Sequence, residues 1–249
     1  MPRFSNKVVL ITGANSGIGE ATAVAFADAG AQVYGTARND ATLGEARARH
    51  PQIHWVKLDV RDASAARRAV ELVVKEADGV DVLVNNAGVA RLLPLHATSP
   101  EDIALQFETN VYGVTYVTQA ALPALRIARG SIVNIGSVSG HKAQRFGSLY
   151  AASKAAVAAL TRSWALELAA EGVRVNAIAP GPVNTPIVGK LGLPPAAVAA
   201  MAEAIPKSLP LPRFGEPADI APWILHLADP AATWITGQVV SVDGGMSVV

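Results

Sequence analysis

Short, almost uninterrupted apolar runs rich in Val and Ile alternate with longer stretches in which apolar residues recur every third or fourth position. Such runs predict strands covered on both faces, and the stretches between them predict helices. The runs are Val8–Thr12, Gln32–Thr36, His54–Leu58, Val82–Asn85, Ser131–Ile135, Val173–Ile178 and Gln238–Val242. Strands and helices in alternation are the mark of β-α-β units around a parallel sheet, so an α/β fold is expected. Helical patterns cover Glu20–Ala29, Ala151–Ala169 and Glu216–Ala228. Ser99-Pro100-Glu101-Asp102 has the chemistry of a helix start: a capping serine, proline in the first turn, then acids facing the positive end of the dipole.

From Pro180 to Pro217 this rhythm breaks. Nine of the sixteen prolines fall there, which forbids one continuous long helix. A helical pattern and the strand Gln238–Val242 follow, and a lone strand needs the earlier sheet to pair with. The stretch therefore reads as a lid or substrate loop inside one domain spanning residues 1–249.

Composition narrows the partners. Of 249 residues 51% are hydrophobic, ample for a large core, and the net charge of +1 is spread over interspersed cations and anions. That balance offers no electrostatic footprint for nucleic acid or an anionic membrane. There is no cysteine, which removes disulfides and thiolate metal sites. The first apolar run is too short for a signal-peptide core, and cytoplasm is the expected location. His50 and His54 are separated by Pro51 and form no helical ligand pair, so no metal is expected.

Two segments carry chemistry. Thr12-Gly13-Ala14-Asn15-Ser16-Gly17-Ile18-Gly19 follows the first strand and leads into a helix. Glycines there let backbone approach a pyrophosphate, and the helix start offers unpaired N–H groups. Tyr150 and Lys154 lie four apart at the start of the long Ala-rich helix, thirteen residues after Ser137. Positions four apart share a helical face, and an ammonium about 4 Å from a phenol would lower its pKa by roughly 3 units at an effective dielectric of 20. That makes Tyr150 a candidate proton donor, with the Ser137 hydroxyl able to stabilise charge on the same oxygen.

Taken together, these segments closely resemble the short-chain dehydrogenase/reductase family over nearly the whole chain. Further matching motifs follow in the family's order: Asp59-Val60, Asn85-Asn86-Ala87-Gly88, Asn110 and Pro180-Gly181-Pro182-Val183-Asn184-Thr185. The resemblance implies a single Rossmann-type, doubly wound domain with about seven parallel strands. It implies a nicotinamide coenzyme and a catalytic tetrad of Asn110, Ser137, Tyr150 and Lys154. Asn110 would hold a water that links Lys154 to solvent, and Lys154 would also hold the nicotinamide ribose. The coenzyme would rest on Gly13, Asn15, Ser16, Gly17, Ile18 and Gly19, with Asp59 and Val60 at the adenine. Asn86, Ala87 and Gly88 would border the adenosine ribose, and Pro180, Gly181, Val183 and Thr185 the nicotinamide side.

At the end of the second strand Ala37 occupies the position where a carboxylate would select NAD(H), and Arg38 follows. A guanidinium there suits the 2′-phosphate of NADP(H), which is favoured over NAD(H). Asp40 would reverse this reading if its carboxylate met the ribose. The expected substrate is a small-molecule ketone or secondary alcohol, in a pocket lined near Arg91-Leu92-Leu93, Gly140–Gly147 and Pro186–Gly215. His141, Lys142 and Arg145 could meet an anion but read better as a solvated loop. A second reading is a 3-oxoacyl-carrier-protein reductase; Glu171, where carrier-binding relatives often have Arg, argues against an acidic carrier. A third is a dinucleotide-binding regulator without turnover. Apolar and small residues surround most of the helix Ala151–Ala169, so one face should meet the sheet and the other a partner chain. A homo-oligomer, a tetramer by family resemblance, is expected.

Overall fold

The computed structural model describes residues 2–249. In chain order the elements are β1 (Val8–Ile11), α1 (Gly17–Asp28), β2 (Gln32–Ala37), α2 (Asp40–Arg49), β3 (His54–Lys57), α3 (Ala63–Ala77), β4 (Val82–Asn85), α4 (Pro100–Phe107), α5 (Gly113–Ala128), β5 (Ser131–Ile135), α6 (Ser148–Leu168), β6 (Arg174–Pro180), α7 (Pro195–Ser208), α8 (Pro217–Ala228) and β7 (Val239–Val242). The strands form one parallel seven-stranded sheet in the order β3-β2-β1-β4-β5-β6-β7. β1 is a run of four buried apolar residues because it is covered twice. Val9 and Ile11 join Phe26, Ile220 and Ile224 of α1 and α8 on one face, whereas Val8 and Leu10 join Val70, Val117 and Leu125 of α3 and α5 on the other.

Three boundaries differ from the sequence reading by two residues or more, one of them the start of α6, at Ser148 and not Ala151. β6 runs two residues past Ile178, because Ala179 and Pro180 pair with Ser241 and Val242 of β7. α1 begins three residues before Glu20, so Gly17 and Gly19 belong to the first helical turn. The proline-rich excursion contains a helix of its own, α7, with Pro195 in its first turn and Pro206 in its last. Pro tolerates the first turn because its missing N–H would be unpaired there anyway. The base of the excursion is closed by Gly215 N donating to Pro182 O at 2.9 Å and Asn184 N to Gly215 O at 2.8 Å. Among the described residues no helix is long and apolar enough to cross a membrane.

Candidate active site

Strand order reverses beside β1, so connections leave β1 and β4 in opposite directions and a crevice opens outside their carboxyl ends. Here it is a cleft of about 600 Å³. One end is built by the Gly-rich turn. Gly13 has a left-handed φ of +63°, and a Cβ there would lie 2.9 Å from Ala87 Cα. Asn86 staples the turn to the end of β4: its Nδ2 donates to Thr12 O and Gly13 O, both at 2.9 Å. Thr12 Oγ1 accepts from Asn86 N and Ala87 N at 3.0 Å. Ser16 precedes α1 without capping it by its side chain, and Ser16, Gly17 and Ile18 line the cleft. Uncapped N–H groups at a positive dipole end suit a pyrophosphate.

Gly19 stands behind this turn and not on the cleft wall. A Cβ there would lie 2.3 Å from Asn86 Nδ2 and 2.4 Å from Gly13 O. Gly19→Ala is therefore expected to cost about 1–3 kcal/mol of stability, as overpacking does. Gly44→Ala on α2, where nothing lies within 4 Å, should stabilise by up to about 1 kcal/mol. Thermal midpoints of the two variants check this; equal midpoints would refute the tight fit at Gly19.

Ser137, Tyr150 and Lys154 line another part of the same cleft. β5 delivers Ser137 just past Ile135, and its Oγ accepts from Ser139 N at 3.2 Å. α6 starts at Ser148, which puts Tyr150 in the first turn and Lys154 one turn further on the same face. Lys154 Nζ donates to Ile135 O at 2.7 Å and lies 5.9 Å from the centroid of the Tyr150 ring. Burial lowers the Lys154 pKa from 10.5 to about 8. Burial also pushes the Tyr150 phenol up, opposed by hydrogen bonding from Ser137. This corrects the expected direction. The ammonium sits over the ring and spends a hydrogen on a backbone carbonyl, while a poorly hydrated wall penalises the charged form of both groups. The phenol therefore stays protonated, the form a proton donor needs.

Asn110 is fully buried, one layer behind the cleft, in a π-helical turn at Glu108–Tyr112. Its Nδ2 donates to Val89 O at 2.9 Å and Ser153 Oγ at 3.0 Å, and its Oδ1 accepts from Val89 N at 2.9 Å. Both amide hydrogens are thus engaged in clamping the segment after β4 against α6.

At the far end of the cleft Arg38 emerges from β2, and Asp59, Val60 and Arg61 from β3. Asp40 turns away: its Oδ2 accepts from Lys57 Nζ at 2.6 Å. Arg61 holds Asp59 with a guanidinium fork that keeps the carboxyl below its ordinary pKa. Gly88, Pro180, Gly181, Val183 and Thr185 also line the cleft, as do Asn15 and Ala87.

The sequence reading missed Arg61 and Thr36, both cleft residues, whereas Ile187 and Lys190 belong to the stretch Pro186–Gly215 expected in the pocket wall and do line the cleft. Arg61 had a readable signal, since it lies two positions beyond Asp59. Ile187 and Lys190 reach the cleft because the excursion folds back onto the segment after β4. Leu92 N donates to Leu191 O at 2.9 Å and Arg91 Nη1 to Lys190 O at 2.7 Å, so Arg91 lines the cleft with one guanidinium hydrogen committed to the excursion. Ala90, Leu92 and Leu191 form an apolar cluster on which Tyr150, Ile187 and Met201 pack.

The segment Gly140–Gly147, expected in the pocket wall, does not line the cleft. Lys142 Nζ donates to Met246 O at 2.6 Å and also to Val249 O, and the Arg145 guanidinium lies 4.8 Å from the Phe146 ring centroid. Glu171 is ion-paired with Arg126. It stands beside Gly172 and Arg174 at the amino ends of the strands, away from the cleft, so within one chain its charge does not guard the entrance. His50 bonds Glu20 at 2.8 Å, whereas His54 stacks on Tyr34 at 4.7 Å between centroids.

Residues 13–247 match the family model described as enoyl-(acyl carrier protein) reductase. The chain is 41% identical over 251 residues to the 3-oxoacyl-[acyl-carrier-protein] reductase FabG of Thermotoga maritima, covering 99% of this chain and 100% of that protein. It is 37% identical to galactitol 2-dehydrogenase of Agrobacterium fabrum, covering 98% of each. Among solved structures it superposes with a TM-score of 0.91, at 35% identity, on a short-chain dehydrogenase/reductase of unknown function from Caenorhabditis elegans with cofactor, covering 100% of this chain and 97% of that one.

Proposed function

The chain belongs to the short-chain dehydrogenase/reductase family, and within that oxidoreductase family we propose that it interconverts a ketone and a secondary alcohol using NADP(H). The observation that carries this reading is one cleft lined by an uncapped helix start, Arg38, and the trio Ser137, Tyr150 and Lys154. The glycine cradle and the uncapped N–H groups fit a dinucleotide pyrophosphate. When bound, the nicotinamide supplies or takes up the hydride.

In reduction, negative charge grows on the carbonyl oxygen. Tyr150 gives that oxygen its proton, and Ser137 donates a hydrogen bond to it. Lys154 keeps Ile135 O as one partner and directs its remaining hydrogens to the nicotinamide ribose, where its charge also favours the phenolate left behind. Asn110 acts by holding Val89 and Ser153. Asn86 and the Gly-rich turn receive the coenzyme, Asp59 and Val60 border its adenine, and Val183 and Thr185 its nicotinamide end. The apolar cluster around Leu92 and Leu191 favours an uncharged substrate group beside Tyr150. Residues 1–249 act as one catalytic unit, with 180–217 covering the substrate, in the cytoplasm.

The 41% identity to a 3-oxoacyl-carrier-protein reductase along the whole chain supports a second reading, in which the ketone is carrier-bound and the chemistry is unchanged. Spectrophotometric NADPH oxidation with free ketones and with a carrier-linked 3-oxoacyl thioester separates the two. Tight coenzyme binding without oxidation by any of them would refute both and favour a regulator.

Assembly is proposed from α6. Thr161, Ala165 and Leu168 face the sheet, whereas Ala155 and Ala159 are exposed and Leu166 is 84% exposed. That small-residue face suits a second copy in a homo-oligomer, a tetramer being favoured. Light scattering that finds only monomer would refute it.

Lys154 also sets a pH limb. With a pKa of about 8 it is charged below that pH and neutral above it. The kcat/KM for coenzyme in the reductive direction should therefore fall as pH rises through about 8, because the free-enzyme ionisation governs this parameter. Lys154→Met should lower activity and remove the limb. A limb that persists in the variant would assign it to another group.

A further inference from the structure

Resting on the reading that the adenine of the coenzyme lies at the carboxyl end of β3, we propose that Arg61 is a positioning residue for purine recognition. Its guanidinium presents the Asp59 carboxylate so that one remaining lone pair accepts the 6-amino hydrogen of adenine.

The geometry begins with the turn after β3. Leu58 N donates to Ala37 O at 2.9 Å, which continues the ladder one residue past the strand, and Asp62 N donates to Asp59 O at 3.1 Å, which reverses the chain. Val60 within the turn is pinned, since a Cβ on Gly113 would come within 2.7 Å of its Cγ2. Asp59 and Arg61 therefore leave a fixed backbone and both line the cleft.

A carboxylate has about four acceptor sites. Oδ1 of Asp59 accepts from Arg61 N at 3.1 Å and Arg61 Nε at 3.0 Å. Oδ2 accepts from Arg61 Nη2 at 2.7 Å, with a longer contact to Nε at 3.2 Å. Three short bonds thus fill both sites of Oδ1 and one of Oδ2, leaving a site on Oδ2. The two-point fork removes rotation about the last side-chain bond, so this site has a set direction. Arg38, one residue past Ala37, flanks the same carboxylate, because Ala37 pairs with Lys57 across β2 and β3. Arg38 serves the 2′-phosphate, whereas Arg61 acts through Asp59 on the base. A surface ion pair without function would show the same two partners, but its removal would leave base discrimination unchanged.

The test compares NADPH with its 6-oxo analogue, reduced nicotinamide hypoxanthine dinucleotide phosphate, by dissociation constants from nicotinamide fluorescence. The two differ at the purine: the 6-position donates in one and accepts in the other. The unmodified protein should prefer NADPH about 10–100-fold, the range for a hydrogen bond to a charged group. Arg61→Ala should reduce that preference about tenfold, Arg61→Lys less, with thermal midpoints unchanged and the ratio of NADPH to NADH affinity retained. In Arg61→Ala the affinity for NADPH should also fall away at a higher pH on acidification, as the carboxylate loses the cation that keeps it ionised.

Asp59→Ala separates the failures. If Asp59→Ala abolishes the preference and Arg61→Ala leaves it intact, Arg61 has no positioning role and the inference is overturned. If Arg61→Ala weakens both coenzymes equally, Arg61 acts only as a general cation and the inference is likewise overturned. If Asp59→Ala leaves the preference intact, the adenine is not read at β3 and the underlying reading fails with it.

Discussion

Tyr150→Phe is expected to lower kcat/KM for ketone reduction by roughly 10²–10⁴-fold, the span that general acid catalysis supplies, while NADPH affinity changes little. The substitution removes one hydroxyl and keeps the ring, which packs on the cluster of Ala90, Leu92 and Leu191. Fold and coenzyme site should therefore survive, and the loss should appear in turnover. Burial holds the phenol protonated, so the unmodified protein has its proton in place across the neutral range. A Phe variant retaining at least half the activity would mean that the proton comes from elsewhere, and the assignment of Tyr150 would be withdrawn. Loss of NADPH binding along with activity would instead indicate a damaged cleft, read directly by nicotinamide fluorescence.

Arg38→Ala is expected to reduce the preference for NADPH over NADH by about 10–100-fold, since a charge-assisted bond to phosphate is worth roughly 1.5–3 kcal/mol. The competing carboxylate is out of play: Asp40 is paired with Lys57 and does not line the cleft. Arg61 does not replace Arg38, because its fork is occupied by Asp59. Steady-state kinetics with both coenzymes measures the ratio before and after substitution. Equal use of the two by the unmodified protein would remove the basis for assigning Arg38 to the phosphate.

Much of the sheet was legible from local composition because each central strand is covered twice and so reads as a continuous apolar run. Val82–Asn85 and Ser131–Ile135 have the predicted limits. β6 exceeds its predicted limit since Ala179 and Pro180 are strand residues only by virtue of β7, some sixty positions later. The order of the sheet, with β1 between β2 and β4, is likewise a matter of chain crossing and not of any one segment.

For the cleft the same division applies. Glycine spacing, the four-residue step from Tyr150 to Lys154, and the absence of a carboxylate at Ala37 are local facts, and residue order alone determined them. Folding decided which groups they meet. Lys154 turned to Ile135 O, Asn110 to Val89 and Ser153, Asp40 to Lys57, and Lys142 to Met246. The direction in which Tyr150 titrates was also settled by folding. Spacing along a helix suggests a Coulomb attraction between two side chains, but desolvation depends on what the rest of the chain packs over them, and here burial raises the Tyr150 phenol against only the Ser137 hydrogen bond and lowers Lys154.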